Sequence, residues 1–590
     1  MKNFRFNLGM ICCCIVFTVS CNDNFLETTP LSEFSSADVW KDEALSKTFI
    51  NGIYYNLEHG FNKFMKAAFV DEAHRRDNTS VLGFNRCLMT ADNLIGWQRQ
   101  PEWTSCYSRI RACNLFLSSV DVATYEDKDA MIGEVKFLRA WDYFHLTSLY
   151  GGVPAIKDAY ELDDEFVVPR DSYEDCINFI IEDLDDAARL LPTTQSDKGR
   201  ATRGAALTLK SRVLLHAASD LHNTFIYPGY SNPELLGYSG GSQAARWQAA
   251  KDAAKAVIDL GIYSLYKQNP APTDSVAENY AELFLSKGTE EDIWLRYYTT
   301  NTIPNDNNLA VMNGPNGYGG QGNNAVIGNL VDDFEMKDGT SFDWKDPDMA
   351  TFPYKNREPR FYANILYEGA PWSTRPAYSA HLDPYNVIHV GYFERWDSEA
   401  NNVVIEAGID SRSSPFQPGN SGQTLYLCRK MLDPNTVAVE HSLGQEVPWR
   451  HMRYAEVLLN YAEACIELGQ DAEARTYINM IRKRAGLPDV TEEGDALRKR
   501  YRHERRIEMM YEDQRFFDVR RWAIGPEAYD IDVYKANVLY KLLPDNTTSP
   551  VPTIFHEVLE TRNWDDKAYF FPILRSEMNK NDKLIQNPGY

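Results

Sequence analysis

Apolar residues at helical spacing, sustained along most of the chain, restrict the possible folds more than any other feature of this sequence. From Ala130 to Tyr150, Val135, Leu138, Trp141, Phe144 and Leu149 give one broad apolar face. Gly151-Gly152-Val153-Pro154 then ends the pattern, because glycine admits a left-handed cap and proline cannot continue a helix. The same period predicts helices over Ser108–Val120, Tyr173–Leu191, Thr202–Ser219, Trp247–Leu260, Tyr454–Leu468, Ala472–Ala485 and Ala496–Trp522.

Several neighbouring helices read as hairpins of about 35–45 residues, close to the period of tetratricopeptide-like units. Alanines stand where such helices would touch, as in Ala205-Ala206 with Ala217-Ala218, and Ala462 and Ala464 with Ala472 and Ala474. An ordinary helical domain would satisfy the same periodicity. Between Tyr297 and Val447 the character changes: Gly, Asn, Pro and aromatic residues dominate, from Asn313-Gly314-Pro315-Asn316-Gly317-Tyr318 to Trp344, Trp372, Tyr385 and Trp396. This stretch is predicted to be a loop-rich lobe with a few short strands, and loops of such length usually carry function.

Residues 1–20 read as an export signal: Lys2 and Arg5, then the apolar run Leu8–Phe17, then small Ser20. The run is too short to span a bilayer comfortably. Phe17-Thr18-Val19-Ser20-Cys21 looks like a loose bacterial lipobox, departing from the usual pattern at Val19, and it assigns lipid attachment to Cys21. The alternative is a secreted chain cut nearby. Lys and Arg number 61 against 84 Asp and Glu, a net charge of −23. Such an acidic chain is not a general nucleic-acid binder and does not dock on anionic headgroups by charge, so the membrane link would be the acyl chains on Cys21. Cys12, Cys13 and Cys14 would leave with the signal, and the remaining cysteines, Cys87, Cys106, Cys113, Cys176, Cys428 and Cys465, are too scattered for a disulfide framework and form no zinc motif.

Three ordered segments resemble the SusD/RagB family. They are Glu134–Phe144 running into Tyr150-Gly151-Gly152-Val153-Pro154, Arg502–Glu512 continuing to Arg515–Trp522, and Phe571-Pro572-Ile573 with Gln586-Asn587-Pro588-Gly589-Tyr590. Glu335–Gly339 and Trp103 with Tyr107, Ile110 and Asn114 add weaker support. The resemblance implies a mainly α, SusD-like fold of tetratricopeptide-like hairpins plus an irregular lobe. It implies a non-catalytic, glycan-binding lipoprotein on the outer membrane of a Bacteroidetes-type bacterium, delivering oligosaccharide to a SusC-like TonB-dependent transporter. The chain would divide into a signal peptide (1–20), an N-terminal helical region (21–295) and a C-terminal region (296–590) containing the lobe (297–447) and closing helices (454–522).

Read from the residues alone, the hallmark segments are structural. Arg505 with Glu508, and Glu512 with Arg515, are spaced to pair along one helix. Arg139, within the Trp141/Phe144 face, reads as a buried pairing residue, and Trp103 reads as core. The resemblance transfers no binding residues, because these vary with the glycan, so candidates come from chemistry. Sugar recognition needs ring faces for C–H patches and planar polar groups for hydroxyls. That selects Arg75, Asp77, Asn93 and Trp97 from one region, and Tyr318, on a protruding loop, with Trp344 and Trp372 from the lobe.

There is no phosphate loop and no His-Glu-x-x-His. Among 84 acidic residues a glycosidase carboxylate pair remains the less favoured option. No cofactor is predicted, although Asp343, Asp346 and Asp348 are spaced like ligands of a structural calcium. A lid of the same family that captures peptides is the main alternative, since aromatic loops serve both ligands.

Overall fold

The computed structural model describes residues 39–590 except 62–63, 77–78, 98–102, 161–166, 300–307 and 437–443. The signal segment, Cys21 and Asp77 lie outside the described residues.

The main helices are α1 (Glu43–Tyr55), α2 (Trp103–Ser119), α3 (Lys128–Tyr150), α4 (Tyr173–Leu190), α5 (Arg203–Ala218), α6 (Gln243–Ile258), α7 (Val276–Leu285), α8 (Tyr454–Glu467), α9 (Asp471–Arg484), α10 (Gly494–Glu508) and α11 (Gln514–Arg521). Their ends follow local chemistry. Ser172 and Thr202 cap α4 and α5 by accepting from the Asp175 and Ala205 N–H groups at 3.0 and 3.2 Å. Gly151 closes α3 at φ 76°, where a Cβ would run into the Leu235 carbonyl. Successive helices pack in an array, α2 on α3, α3 on α4, α4 on α5, α5 on α6, then α6 on α8 and α8 on α9. The helical hairpins expected from the alanine pattern are present, and the array joins residues from both halves of the chain.

The strands are short apart from β9 and β10: β1 (Ala73–Arg75), β2 (Asp292–Arg296), β3 (Asn324–Val326), β4 (Ile365–Leu366), β5 (Tyr392–Asp397), β6 (Asn402–Ala407), β7 (Leu427–Cys428), β8 (Trp449–Arg453), β9 (Asp532–Tyr540) and β10 (Thr553–Thr561). Pairs β1–β3, β2–β8 and β4–β7 are antiparallel, and a four-stranded sheet runs β10-β9-β5-β6 with β5 parallel to β9. Strand β2 straddles the 295/296 division and pairs with β8, and one hydrophobic core runs from Trp40 to Leu584. Cys106 and Cys113 sit fully buried in that core, and all six described cysteines are free and buried.

The expected helix over Ala496–Trp522 is interrupted. After α10 the chain turns through Tyr511 at φ 58° and Asp513 at φ 63° before α11 begins. The cause is tertiary. Lys430 Nζ donates to the Glu508 and Met510 carbonyls at 3.1 and 3.0 Å, and Arg453 Nη2 donates to Glu508 O at 2.9 Å. Tyr511 is drawn aside by Glu72 Oε1, which accepts its N–H, and by the Asn324 carbonyl, which accepts its hydroxyl at 3.0 Å.

The i,i+3 ion pairs expected along this segment are replaced by pairs between elements. Arg505 binds Asp518, Glu508 binds Arg453, Arg484 and Arg360, Glu512 binds Lys430 and Arg453, and Arg515 binds Asp71. These side chains are nearly all buried, and a buried charge is tolerated only when multiply paired. Arg139 behaves as expected: its guanidinium meets Asp183 through two bonds of 2.7 and 2.8 Å and also donates to Asn114. Trp103 is core, as expected.

Candidate functional site

The structure separates the candidate sugar-binding residues sharply. Trp97 is 0% exposed, stacked on Phe516 with ring centroids 4.6 Å apart and edged by Phe69 and Phe571. It offers no free face, so the expectation of a stacking platform is corrected to a core residue. Arg75 is likewise buried: its guanidinium lies 4.0 Å over the Phe64 ring and donates to Asn323 Oδ1 at 2.9 Å. Asn93 is exposed, but its side-chain Oδ1 accepts from the Ile95 N–H at 2.9 Å, stabilising its own turn. Trp344 is half-buried between Phe342 and His556, with its indole N–H shared by both Asp332 oxygens at 3.0 Å. Asp343 and Asp346 accept from backbone N–H groups of Lys345 and of Asp348 and Met349. Among the described residues no group of three or more His, Cys, Asp or Glu side chains is placed to hold a metal ion.

Two candidates meet. Tyr318 and Trp372 line one cleft of about 230 Å³ in the lobe. Tyr318 does not protrude as expected; it is 7% exposed and held on all sides. The Gly317 N–H donates to Asp410, the Ser379 hydroxyl donates to the Gly317 carbonyl, and Arg375 lies 4.6 Å over the Tyr318 ring. Its hydroxyl donates to the Ser373 carbonyl at 2.9 Å, and burial pushes that hydroxyl up to about 12, so it stays a donor. Trp372 is half-exposed; its backbone N–H is tied to the Asn386 carbonyl at 3.0 Å and the Arg429 guanidinium is 5.8 Å from its ring.

The opposite wall is the turn Asp433-Pro434-Asn435-Thr436. Asp433 Oδ1 accepts from the Asn435 N–H at 2.9 Å, and Oδ2 accepts from the Thr436 hydroxyl at 3.1 Å. A second cavity of about 280 Å³ adjoins through Leu432 and Pro434 and brings in Arg429, which donates to Glu278 and to the Tyr362 carbonyl. The cleft thus sets a half-exposed indole face against a carboxylate, an amide and a hydroxyl held in a turn. That is a set of groups suited to orient a ring with hydroxyls around its edge. Sequence reasoning missed Arg429, Asp433, Asn435 and Thr436, although Asp-Pro-Asn-Thr is itself a turn signal.

A model described as the SusD family matches residues 283–590, more than half of the sequence. The chain belongs to the SusD family. A second model, described as starch-binding and associating with the outer membrane, matches residues 24–215 of this SusD-family protein. The SusD-like protein P2 of Formosa agariphila is 23% identical, with all of both chains covered. Among solved structures, a SusD-like protein from Bacteroides fragilis is 29% identical at a TM-score of 0.74, covering 95% of this chain and 100% of its own. A SusD-like carbohydrate binding protein from the same species is 24% identical at 0.70, covering 93% and 100%. No helix among the described residues is long and apolar enough to cross a membrane.

Proposed function

We propose that this SusD-family protein is a cell-surface glycan-binding lipoprotein that captures an oligosaccharide in the Tyr318–Trp372 cleft and delivers it to a SusC-like TonB-dependent outer-membrane transporter. One observation carries the reading: the half-exposed Trp372 ring faces a cleft whose other wall is the Asp433–Thr436 turn. Family membership supports the glycan class and the outer-membrane setting. The lipobox-like segment ending in Cys21 supports the anchor. The role is capture and release rather than catalysis. The cleft contains one carboxylate, Asp433, whereas glycoside hydrolysis uses a pair.

Titration calorimetry against hexose, pentose and uronate oligosaccharides, with oligopeptides alongside, tests the proposal. Saturable binding of at least one oligosaccharide is the expected result. Binding of peptides with no response to any sugar would replace it with a peptide-capturing lid.

A further inference from the structure

A groove on the helical side shares no residue with the lobe cleft. A cavity of about 410 Å³ lies between the end of α1, the loop joining α4 to α5, and β2. It runs into a second cavity of about 480 Å³ through Lys198, Gly199, Arg200 and Tyr297. Each is of a size that small-ligand sites occupy.

Its walls are built from rings and cations. Tyr55, at 58% exposure, presents its ring to solvent at one side, and half-buried Tyr297 stands at the other. The Arg296 guanidinium bridges the first wall, 5.8 Å from the Tyr55 ring and 5.5 Å from Tyr298, and donates to the Tyr55 and Leu57 carbonyls. Arg200 is fixed by Glu134 and Asp197 at 2.8 Å each. Lys198 is exposed and makes no ion pair among the described residues. The floor is firm: Trp294 stacks on His451 at 4.3 Å, and its indole N–H donates to the Gly199 carbonyl at 2.9 Å. Gly199, at φ 93°, holds the loop in a conformation that lets it lie against Tyr297.

The charge balance is distinctive. The 410 Å³ cavity is lined by Lys198, Arg200 and Arg296 with Asp197, and the 480 Å³ cavity adds Glu290 and Asp292; Arg200 is held by Glu134 and Asp197 and Asp292 by Arg450, which leaves Lys198 as the lining cation with no ion pair among the described residues, in a chain whose net charge is −23. An exposed lysine with no carboxylate partner beside the groove offers an acidic substituent a counter-charge that the otherwise acidic surface lacks. Flat, partly exposed tyrosine faces beside it suit a sugar ring.

We propose that this groove is a second carbohydrate site, which takes a sugar segment carrying an acidic substituent between Tyr55 and Tyr297 with Lys198 at the charge. The proposal rests on the glycan-binding reading of the protein and extends it to acidic glycans.

The test is calorimetric titration of the full chain with hexasaccharides of galacturonate, mannuronate and κ-carrageenan, a sulfated galactan without carboxylates, and with maltohexaose and laminarihexaose as neutral probes. The uronates and the sulfated chain separate the two sources of negative charge. Tyr55→Ala and Lys198→Gln change exposed side chains, so their melting temperatures should match the parent. At least one acidic probe should bind, and should weaken roughly tenfold in each variant and again at raised salt, while Trp344→Ala, outside both sites, leaves that binding unchanged. Acidic-probe binding that ignores both groove variants overturns the second site, as does binding of neutral probes only. Neutral binding that ignores Trp372→Ala overturns the lobe cleft without touching the groove. Silence from all five probes overturns both.

Discussion

Arg453 Nη1 and Glu508 Oε1 lie 2.7 Å apart where the two side chains are 1% and 0% exposed. The pair is the centre of a network rather than an isolated bridge. Arg453 also reaches Glu291 and Glu512, while Glu508 is shared by Arg484 and Arg360. Burial alone would raise the Glu508 carboxyl, but Arg484, Arg453 and Arg360 outweigh it and hold it far below the usual range. The network ties together α9, α10, β8, the segment before β2 and the short helix Pro359–Asn364, so it locks the lobe onto the helical array. Arg453→Met leaves three glutamates short of a cation. It should lower unfolding free energy by about 3–5 kcal/mol in urea titrations at neutral pH. A change under about 1 kcal/mol would mean that the remaining cations suffice.

Glu72 gives a pH signature of opposite sign to the ion pairs. Burial, then the neighbouring Asp71, raises its carboxyl from 4.5 to about 8. The unfolded chain loses this proton near 4.5 and the folded one only near 8, so the folded state is most favoured below 4.5 and that advantage is lost as pH rises to 8. Glu72→Gln should therefore raise the melting temperature at pH 8 and leave it nearly unchanged at pH 4. An equal shift at both pH values would contradict the assignment.

Glu463 shows the complementary behaviour. Burial would raise it, but Arg521 and Arg505 hold it down to about 2 from the usual 4.5. Its contribution is complete above pH 4.5 and is lost as pH falls toward 2. Unfolding followed by circular dichroism between pH 5 and 2 should show a steep loss that Glu463→Gln flattens. A variant with the parent's acid profile would refute this.

Trp97 separates stability from binding. Replacing this wholly buried ring by alanine should cost about 3–5 kcal/mol through lost packing and the cavity left behind. The affinity of the folded fraction for oligosaccharide should not change. A stable Trp97→Ala protein with weakened sugar binding would restore it as a platform.

Cys21 is the proposed anchor, and its substitution tests the location of the whole molecule. Cys21→Ser should move the protein from the membrane fraction to the soluble one and abolish incorporation of labelled palmitate. Retention in the membrane would assign the attachment to another part of the chain.

What the sequence made legible is what local patterning decides. The helices α2 to α6, α8 and α9 were visible because each buries a stripe at its own period, and Arg139 was readable because a lone cation on an apolar face must find a carboxylate. The break between α10 and α11 was invisible because its causes, Lys430 and Glu72, are remote in sequence. Arg505 and Glu508 were assigned to each other by spacing, yet each found a better-enclosed partner on another element. Trp97 looked solvent-facing beside Gln98 and Arg99; its cover comes from Phe516 and Phe571, more than four hundred residues along. At the site, Tyr318 and Trp372 were found by residue type, whereas the Asp433–Thr436 turn was passed over because a turn signal does not say which cavity it will wall.

The most direct measurement compares oligosaccharide affinity in the parent, Trp372→Ala and Trp344→Ala, with melting temperature as the control for folding. Loss of the exposed indole at Trp372 should weaken binding roughly tenfold, about 1.4 kcal/mol, while removal of Trp344, already enclosed by Phe342 and His556, should leave it unchanged. Full affinity in a well-folded Trp372→Ala protein would contradict the central claim that the lobe cleft holds the sugar.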